Sequence, residues 1–427
     1  MLKLKSTLIA LLKGDLASKS LVYLSINGIN SLVPFLMLPV LTHYLSPAEY
    51  GIWGLFTAIA SFMAPLIGLG LADAISRKYF DISKAEFGNY IGTTLSINIT
   101  AFICTALFIF SFAGWITHVI NLPLWWVYAI PFFVFFNMVV GKIQAFAVAS
   151  HRPVFYSCCL LGNRLIQNGL VLIFFIIMAK GADGLLASYL ISLSIVSFFG
   201  IIWIYKIGYL RFKFSTTYAK HALNYGIPLI PYALGLIIID ISDRFFIDYM
   251  LGTDAVGLYT VAVQVAAAFM LILSSTLMSW CPWVLKRMKN GQSHQDKLLV
   301  VKATYILLAG IFTLSILLAF ILPIVADLFI SSHYEGAKTA IPWLVMATGC
   351  FGMYQILCVF LIQAEKTRTI AKFVLFAFVV DLLLNYFLIK ENGLIGAAQA
   401  RICAYIFMFT CAAVWVARNT DIPWRMK

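Results

Sequence analysis

Charged residues are scarce in this sequence. Lys, Arg, Asp and Glu together make up 11% of the 427 residues, whereas apolar residues make up 62%. In soluble globular domains about a quarter of the residues are charged and about half are apolar. The scarcity of charge excludes a soluble globular protein.

Motifs that carry catalysis or bind metals are missing as well. The eight cysteines have no CxxC spacing, and the chain has neither a glycine-rich phosphate loop nor a nucleophile elbow. Hydrophilic loops large enough for a soluble domain are missing too, since the longest connections between apolar segments are 206–224 and 283–300. We expect no catalytic residue, no metal and no cofactor.

What the sequence has instead is a series of long apolar segments. Each holds about 20 residues, enough for a helix to cross about 30 Å of hydrocarbon. A backbone in lipid must satisfy its own polar groups, and runs without period-two alternation favour helices over barrel strands. We predict an all-α polytopic membrane protein of about twelve transmembrane helices, with spans at 20–43, 50–73, 88–112, 124–148, 154–178, 184–205, 225–250, 255–282, 301–323, 340–363, 369–389 and 395–416.

The basic residues predict the orientation. Of the 30 Lys and Arg residues, only Lys180, Lys338 and Lys390 fall in the loops predicted to be outside; four more lie within spans and the rest lie inside. Such a bias over short loops places both termini in the cytoplasm. The net charge of +13 is then a topology signal beside anionic lipid, and we expect no nucleic-acid partner.

An internal repeat divides the chain in two. Residues 45–53 and 251–259 stand at corresponding places in the two halves, and Gly181–Gly184 corresponds to Gly393–Gly396. Because each half holds six spans that enter from the same side, we predict two six-helix lobes around a central cavity, with alternating access. The predicted divisions are a cytoplasmic N-terminal segment 1–19, an N-lobe 20–205, a cytoplasmic linker 206–224, a C-lobe 225–416 and a cytoplasmic tail 417–427.

Three segments carry a resemblance to a known family. The runs 41–51, 225–231 and 242–247 resemble those of Wzx-type polysaccharide flippases, a branch of the multidrug/oligosaccharidyl-lipid/polysaccharide exporter superfamily. The resemblance implies movement of an undecaprenyl-pyrophosphate-linked oligosaccharide from the inner to the outer leaflet of the bacterial inner membrane. It also implies coupling to H⁺ or Na⁺ and a place in O-antigen, lipopolysaccharide, capsule or exopolysaccharide biosynthesis. Candidate partners in the same membrane are a polysaccharide polymerase and a chain-length regulator.

Ionisable residues inside the spans are the candidate site residues, since each costs about 2.5–3.5 kcal/mol at mid-membrane. Arg164 is followed by Gln167 and Asn168, which places the three on one helical stripe. An Arg fork matches phosphate oxygens, so we predict a substrate-binding set of Arg164, Lys142, Arg401, Gln167 and Asn168. The alternatives are that Arg164 pairs with a carboxylate of another helix and that Lys142 extends to the lipid headgroups.

The seventh span carries a ladder of charges. Asp240, Arg244 and Asp248 repeat every fourth residue and share one helical face. Arg244 pairs well with one carboxylate at a time, so another is free to bind a cation. The predicted ion-coupling set is Asp240, Asp243, Arg244, Asp248 and Asp381, with Asp240 as the coupling carboxylate. The alternative is a neutralised ladder that only stabilises the lobe.

Prolines interrupt two of the spans. Pro34 and Pro39 lie within the first span, and Pro228 and Pro231 open the seventh. Each removes a backbone donor and bends its helix. We predict these four as gating residues.

Two other functions remain open. A multidrug or small-molecule antiporter of the same superfamily would need an acidic, aromatic cavity in the first half, where this chain has basic residues. A membrane-embedded enzyme would need a large loop with carboxylates, which the sequence lacks.

Overall fold

The computed structural model describes residues 15–290, 294–420 and 423–424. These residues contain helices and connecting turns and no β-strand. The α-helices are α1 (Asp15–Tyr44), α2 (Pro47–Gly68), α3 (Leu71–Lys78), α4 (Lys84–Val119), α5 (Leu124–Ala149), α6 (Pro153–Leu172), α7 (Gly181–Lys206), α8 (Thr216–Gly226), α9 (Ile230–Leu251), α10 (Thr253–Asn290), α11 (His294–Phe329), α12 (Ile341–Gln363) and α13 (Thr367–Asn419). A π-helical turn, Ile173–Ile177, extends α6, and 3₁₀ turns at Ile227–Leu229 and Ser332–Thr339 precede α9 and α12.

Eleven helical stretches of the described chain are long and apolar enough to cross a membrane. The last of them, α13, has 53 residues, which at 1.5 Å per residue is about 80 Å and far exceeds a bilayer. At Gly393 the backbone leaves the helical conformation, with φ 57° and ψ −132°. Helix α13 therefore contains both predicted spans 369–389 and 395–416, and the prediction of an all-α polytopic membrane protein is confirmed.

Two predicted boundaries are wrong in detail. The span placed at 50–73 ends at Gly68, because Leu69 and Gly70 adopt left-handed φ angles of 50° and 64° before α3 begins. The connection 206–224 contains most of α8, which starts where the Ser215 side chain accepts a hydrogen bond from the Tyr218 backbone N–H. Serine is a favoured N-cap, so the sequence did contain that signal. The predicted N-terminal segment 1–19 and tail 417–427 lie partly outside the described residues.

The chain forms two compact units. The first holds the described residues up to Met37 together with Ile59–Ile230, and the second holds Leu38–Ala58 together with the described residues from Pro231 onward. The connection between α1 and α2 thus belongs to the second unit. The lobe boundaries 20–205 and 225–416, which place that connection in the N-lobe, stay a prediction.

Hydrogen bonds fix the α1–α2 connection within the second unit. The Tyr334 hydroxyl donates to the Leu45 carbonyl oxygen at 2.9 Å. The Tyr50 hydroxyl donates to the Gln264 side chain, and Tyr50 is only 1% exposed. Buried hydroxyls with partners hold such a turn in one place.

Candidate functional site

The charged residues of α9 differ widely in exposure. Asp243 and Asp248 are buried, with 1% and 6% exposed, while Arg244 is half-buried and Asp240 is exposed. Residues four apart share a helical face, but a neighbouring helix covers only part of that face. The four-residue spacing therefore predicted which residues lie on one face, but it could not predict how buried each of them is.

Asp243 forms a buried ion pair with Arg401 of α13. The Arg401 Nη2 donates to the Asp243 carboxylate at 2.5 Å and to the Asp240 backbone carbonyl at 2.7 Å. The Tyr259 hydroxyl, on α10, donates to the same carboxylate oxygen of Asp243. Arg401 is 7% exposed, so this cation, predicted to bind substrate, has its charge engaged by a carboxylate of its own unit.

Asp240 has a different partner. Its Oδ1 accepts a hydrogen bond of 2.7 Å from the hydroxyl of Tyr405, one helical turn beyond Arg401. Asp240 is the one exposed residue of the predicted coupling set.

Arg244 does not link the ladder into a chain of ion pairs. Its backbone N–H donates to Asp243 at 2.9 Å, whereas its buried side-chain Nε has no hydrogen-bond partner. In the described chain no carboxylate lies within ion-pair distance of its guanidinium. The cation that pairs with Asp243 is Arg401 from another helix; whether the ladder only stabilises its unit stays an open alternative.

Asp381 on α13 is a buried carboxylate held by neutral groups. It is 1% exposed, and its Oδ2 accepts hydrogen bonds from Ser242 at 2.5 Å and Asn385 at 2.9 Å. Its Oδ1 is buried without a hydrogen-bond partner. No cationic side chain forms an ion pair with it in the part of the chain that the structure covers.

Asp248 lies at the turn between α9 and α10. Its Oδ1 accepts a hydrogen bond of 2.8 Å from the Thr253 hydroxyl, five residues later. A short-range bond of this kind stabilises a helix end and the turn that follows.

In the first unit, Arg164 is held by neutral groups. Its Nε donates to Asn30 Oδ1 at 2.9 Å and its Nη1 donates to Gln167 Oε1 at 3.3 Å. Gln167 is 4% exposed, while Arg164 and Asn168 are half-buried. The structure thus brings Arg164 and Gln167 together as predicted and adds Asn30. No carboxylate pairs with Arg164 among the described residues.

Lys142 lies deeper than the sequence indicated. It is 7% exposed, and its Nζ donates to the Thr94 carbonyl oxygen at 2.8 Å. The side chain borders a cavity of about 30 Å³ whose other lining residues, among them Ile91 and Phe146, are apolar or aromatic. The alternative that Lys142 extends to the lipid headgroups is wrong. The structure does not bring Lys142 into contact with Arg164.

The four predicted gating prolines flank places where the chain passes from one unit to the other. One such place, between Met37 and Leu38, lies between Pro34 and Pro39. A second, between Ile230 and Pro231, follows Pro228 by two residues, and the third, between Ala58 and Ile59, has none of these prolines beside it. Pro228 lies in the 3₁₀ turn before α9.

Several residues that contact the predicted site residues were missing from the predicted sets. Asn385 follows Asp381 by four residues and Tyr405 follows Arg401 by four, a spacing that places each pair on one helical face. That spacing could have revealed both. Ser242, Tyr259 and Asn30 reach their partners from other helices, and one sequence carries no signal for such contacts.

Solved structures of transporters share this fold. A structure of the lipid II flippase MurJ in an inward closed conformation matches with a TM-score of 0.74 and 15% identity over 93% of this chain and 87% of that one. The inward-facing conformation of a multidrug resistance MATE family transporter of the MOP superfamily matches with a TM-score of 0.66 and 15% identity, over 91% and 94% of the two chains. The MATE multidrug transporter DinF-BH matches with a TM-score of 0.67 and 15% identity, over 96% of each chain.

No curated protein matches the sequence. The profile of the polysaccharide biosynthesis protein family matches residues 16–288, which is more than half of the chain and includes α9 and the Arg164 stripe. The resemblance carried by the three short segments is thereby confirmed. The chain is a multi-pass membrane protein, and it belongs to the polysaccharide biosynthesis protein family.

Proposed function

We propose that this protein is a flippase that moves undecaprenyl-pyrophosphate-linked oligosaccharides from the inner to the outer leaflet of the bacterial cytoplasmic membrane. It works by alternating access, is driven by a cation gradient and serves surface polysaccharide biosynthesis. The surplus of Lys and Arg in the predicted inside segments supports cytoplasmic termini.

The observation that carries the proposal is the state of Arg164. Its guanidinium is held by two neutral amides, Asn30 and Gln167, and has no carboxylate partner in the described chain. Its charge is therefore available to an anion. A diphosphate supplies the oxygens that an Arg fork binds, and the neutral partners fix the fork without cancelling its charge.

Asp381 supports the coupling to a cation. A carboxylate with 1% exposure and no ion pair is costly when ionised. Binding of a proton or Na⁺ at its partnerless Oδ1 removes that cost. Asp243 is already neutralised by Arg401, so Asp381 is a better coupling group than Asp243. It also replaces Asp240 as first candidate, because Asp240 is exposed.

The gating role assigned to the four prolines is supported by their positions. Prolines bend helices and remove backbone donors. Pro34 and Pro39 flank one passage between the two units and Pro228 and Pro231 flank another, which suits residues that let one unit move against the other.

The second candidate is a cation-coupled multidrug antiporter. The MATE structures that share the fold favour it, as their described function is multidrug transport. Against it stands the basic character of the first unit, since Arg164 and the buried Lys142 repel cationic drugs.

A complementation experiment tests the proposal. A strain that lacks its own flippase is supplied with this protein, with Arg164→Ala, with Arg164→Lys or with Arg368→Ala, a matched control on an exposed arginine. Removing a charged hydrogen-bond donor costs about 1.5–3 kcal/mol, so Arg164→Ala should reduce surface polysaccharide at least ten-fold and cause lipid-linked oligosaccharide to accumulate. Arg164→Lys should restore it in part. Normal export by Arg164→Ala, or its loss from the membrane, would refute the anion site.

A further inference from the structure

The segment between α7 and α8 is an extended strap, residues 209–215, that runs along α4. The Arg211 backbone N–H donates to the Gly88 carbonyl oxygen at 3.0 Å. The Ser215 backbone N–H donates to the Thr93 hydroxyl oxygen at 3.1 Å. In a free loop these backbone N–H groups would form hydrogen bonds with water. Here they form hydrogen bonds with α4, which hold the strap in a fixed position.

Glycines on α4 make room for the strap. A Cβ added at Gly92 would collide with the Arg211 carbonyl oxygen, and one at Gly88 would come within 3.3 Å of the Arg211 side chain. The backbone of the strap comes so close to α4 that only glycine, which has no Cβ, fits at position 92. The sequence of α4 is thus adapted to hold the strap against the bundle.

The side chains of the strap alternate in character. Leu210 is 3% exposed and anchors the strap, whereas Phe212 and Phe214 are 70% and 56% exposed. Arg211 and Lys213 lie between them and are also exposed. The strap therefore exposes two aromatic and two basic side chains next to one another.

The strap lies where two membrane spans end. Helix α7 ends at Lys206 and α4 begins at Lys84. Tyr205, in the last turn of α7, is 58% exposed, and its ring centroid is 6.4 Å from that of Phe212. Aromatic side chains at the ends of spans are typical of the membrane–water interface. At that depth an exposed phenylalanine can contact the ends of the lipid acyl chains nearest the headgroups.

The stretch of sequence that contains the strap carries charge of one sign. Between Asp183 and Asp240 the sequence has no acidic residue, whereas Lys206, Arg211, Lys213 and Lys220 are basic. An aromatic and basic surface in the interface plane attracts anionic headgroups and resists movement into water.

We propose that the strap is a binding site for anionic phospholipids, in which Arg211 and Lys213 bind the headgroup phosphate and Phe212 and Phe214 enter the acyl boundary. The site anchors this part of the first unit to the leaflet that it faces. It is distinct from the Arg164 site and holds whether or not the protein transports an oligosaccharide.

Native mass spectrometry of the full chain in detergent tests the proposal with two probes, phosphatidylglycerol and phosphatidylcholine. The wild type should bind the first phosphatidylglycerol more tightly than phosphatidylcholine. Arg211→Gln with Lys213→Gln should weaken phosphatidylglycerol binding about five-fold per charge removed, the factor that follows from the usual attraction of a basic residue to an anionic surface. Arg368→Gln with Lys372→Gln, an exposed basic pair elsewhere, is the matched control and should leave this affinity unchanged.

Further variants separate charge from folding. Arg211→Lys with Lys213→Arg keeps both charges and should keep the affinity. Phe212→Ser with Phe214→Ser should weaken the binding of both lipids. Equal losses in the strap and control variants, or no lipid preference in the wild type, would overturn the proposal. So would displacement of phosphatidylglycerol by a polyprenyl pyrophosphate that binds the strap more tightly, because the occupant would then be a substrate-like lipid.

Discussion

Gly51 of α2 and Gly257 of α10 make reciprocal contacts. A Cβ at Gly51 would collide with the carbonyl oxygen of Thr253, and a Cβ at Gly257 would collide with the carbonyl oxygen of Pro47. Pro47 and Gly51 stand in the first copy of the internal repeat at the places that Thr253 and Gly257 occupy in the second. Each repeat thus places a glycine against a backbone carbonyl oxygen of the other repeat. The first turns of α2 and α10 lie so close together that neither glycine position has room for a Cβ.

Substitution of either glycine should destabilise the protein. Gly51→Ala or Gly257→Ala forces two helices apart, and overpacking of this kind costs about 1–3 kcal/mol. The melting temperature of purified protein should fall in both variants. Gly114→Ala is the control, because nothing lies within 4 Å of a Cβ there and alanine favours a helix. A melting temperature that falls no further for Gly51→Ala than for this control would contradict the contact.

The ion pair between Asp243 and Arg401 should be structural. Arg401→Met leaves the buried Asp243 carboxylate without its cation, a loss of about 3–5 kcal/mol. Asp243→Asn combined with Arg401→Met removes both charges and should recover most of the stability. Thermal unfolding of the two single variants and the double variant gives the coupling energy. Additive losses would mean that the two residues do not act as a pair, and Arg401 would return as a substrate-binding candidate.

Asp381 should carry the coupling ion. In reconstituted vesicles, Asp381→Asn should keep substrate binding but abolish the response of transport to an imposed proton or Na⁺ gradient, because an amide takes up no proton and has no negative charge to balance Na⁺. Asp240→Asn should retain that response, since Asp240 is exposed and hydrogen-bonded to Tyr405. The reverse result would restore Asp240 as the coupling carboxylate, as the ladder spacing first indicated.

The prolines at the unit boundaries should affect transport more than stability. Pro39→Ala and Pro231→Ala restore a backbone donor and a straighter helix, so the rate of transport should fall several-fold while protein abundance stays normal. Pro282→Ala, within α10 and away from the boundaries, is the control. Equal effects at all three positions would argue against a gating role.

The sequence predicted the spans well because length and hydropathy decide which helices suit a bilayer. It misplaced the end of α2, because Leu69 adopts a left-handed backbone conformation there. Hydropathy does not depend on backbone conformation, so an apolar leucine gives no signal that the helix ends. It also identified Arg164 and Gln167 as neighbours, because residues three apart on a helix must lie close. The pairing of Asp243 with Arg401 joins residues far apart in sequence on different helices, so periodicity could not reveal it.

The most direct test of the proposed function follows a labelled lipid-linked oligosaccharide in vesicles that contain the purified protein. An impermeant glycosidase removes the label from the outer leaflet only. With the wild type the whole pool should become accessible over time, whereas with Arg164→Ala accessibility should stop at the outer-leaflet share, as in vesicles without protein. If wild-type vesicles also stop at that share while they take up a cationic dye against its gradient, the protein is a drug antiporter and the flippase account is contradicted.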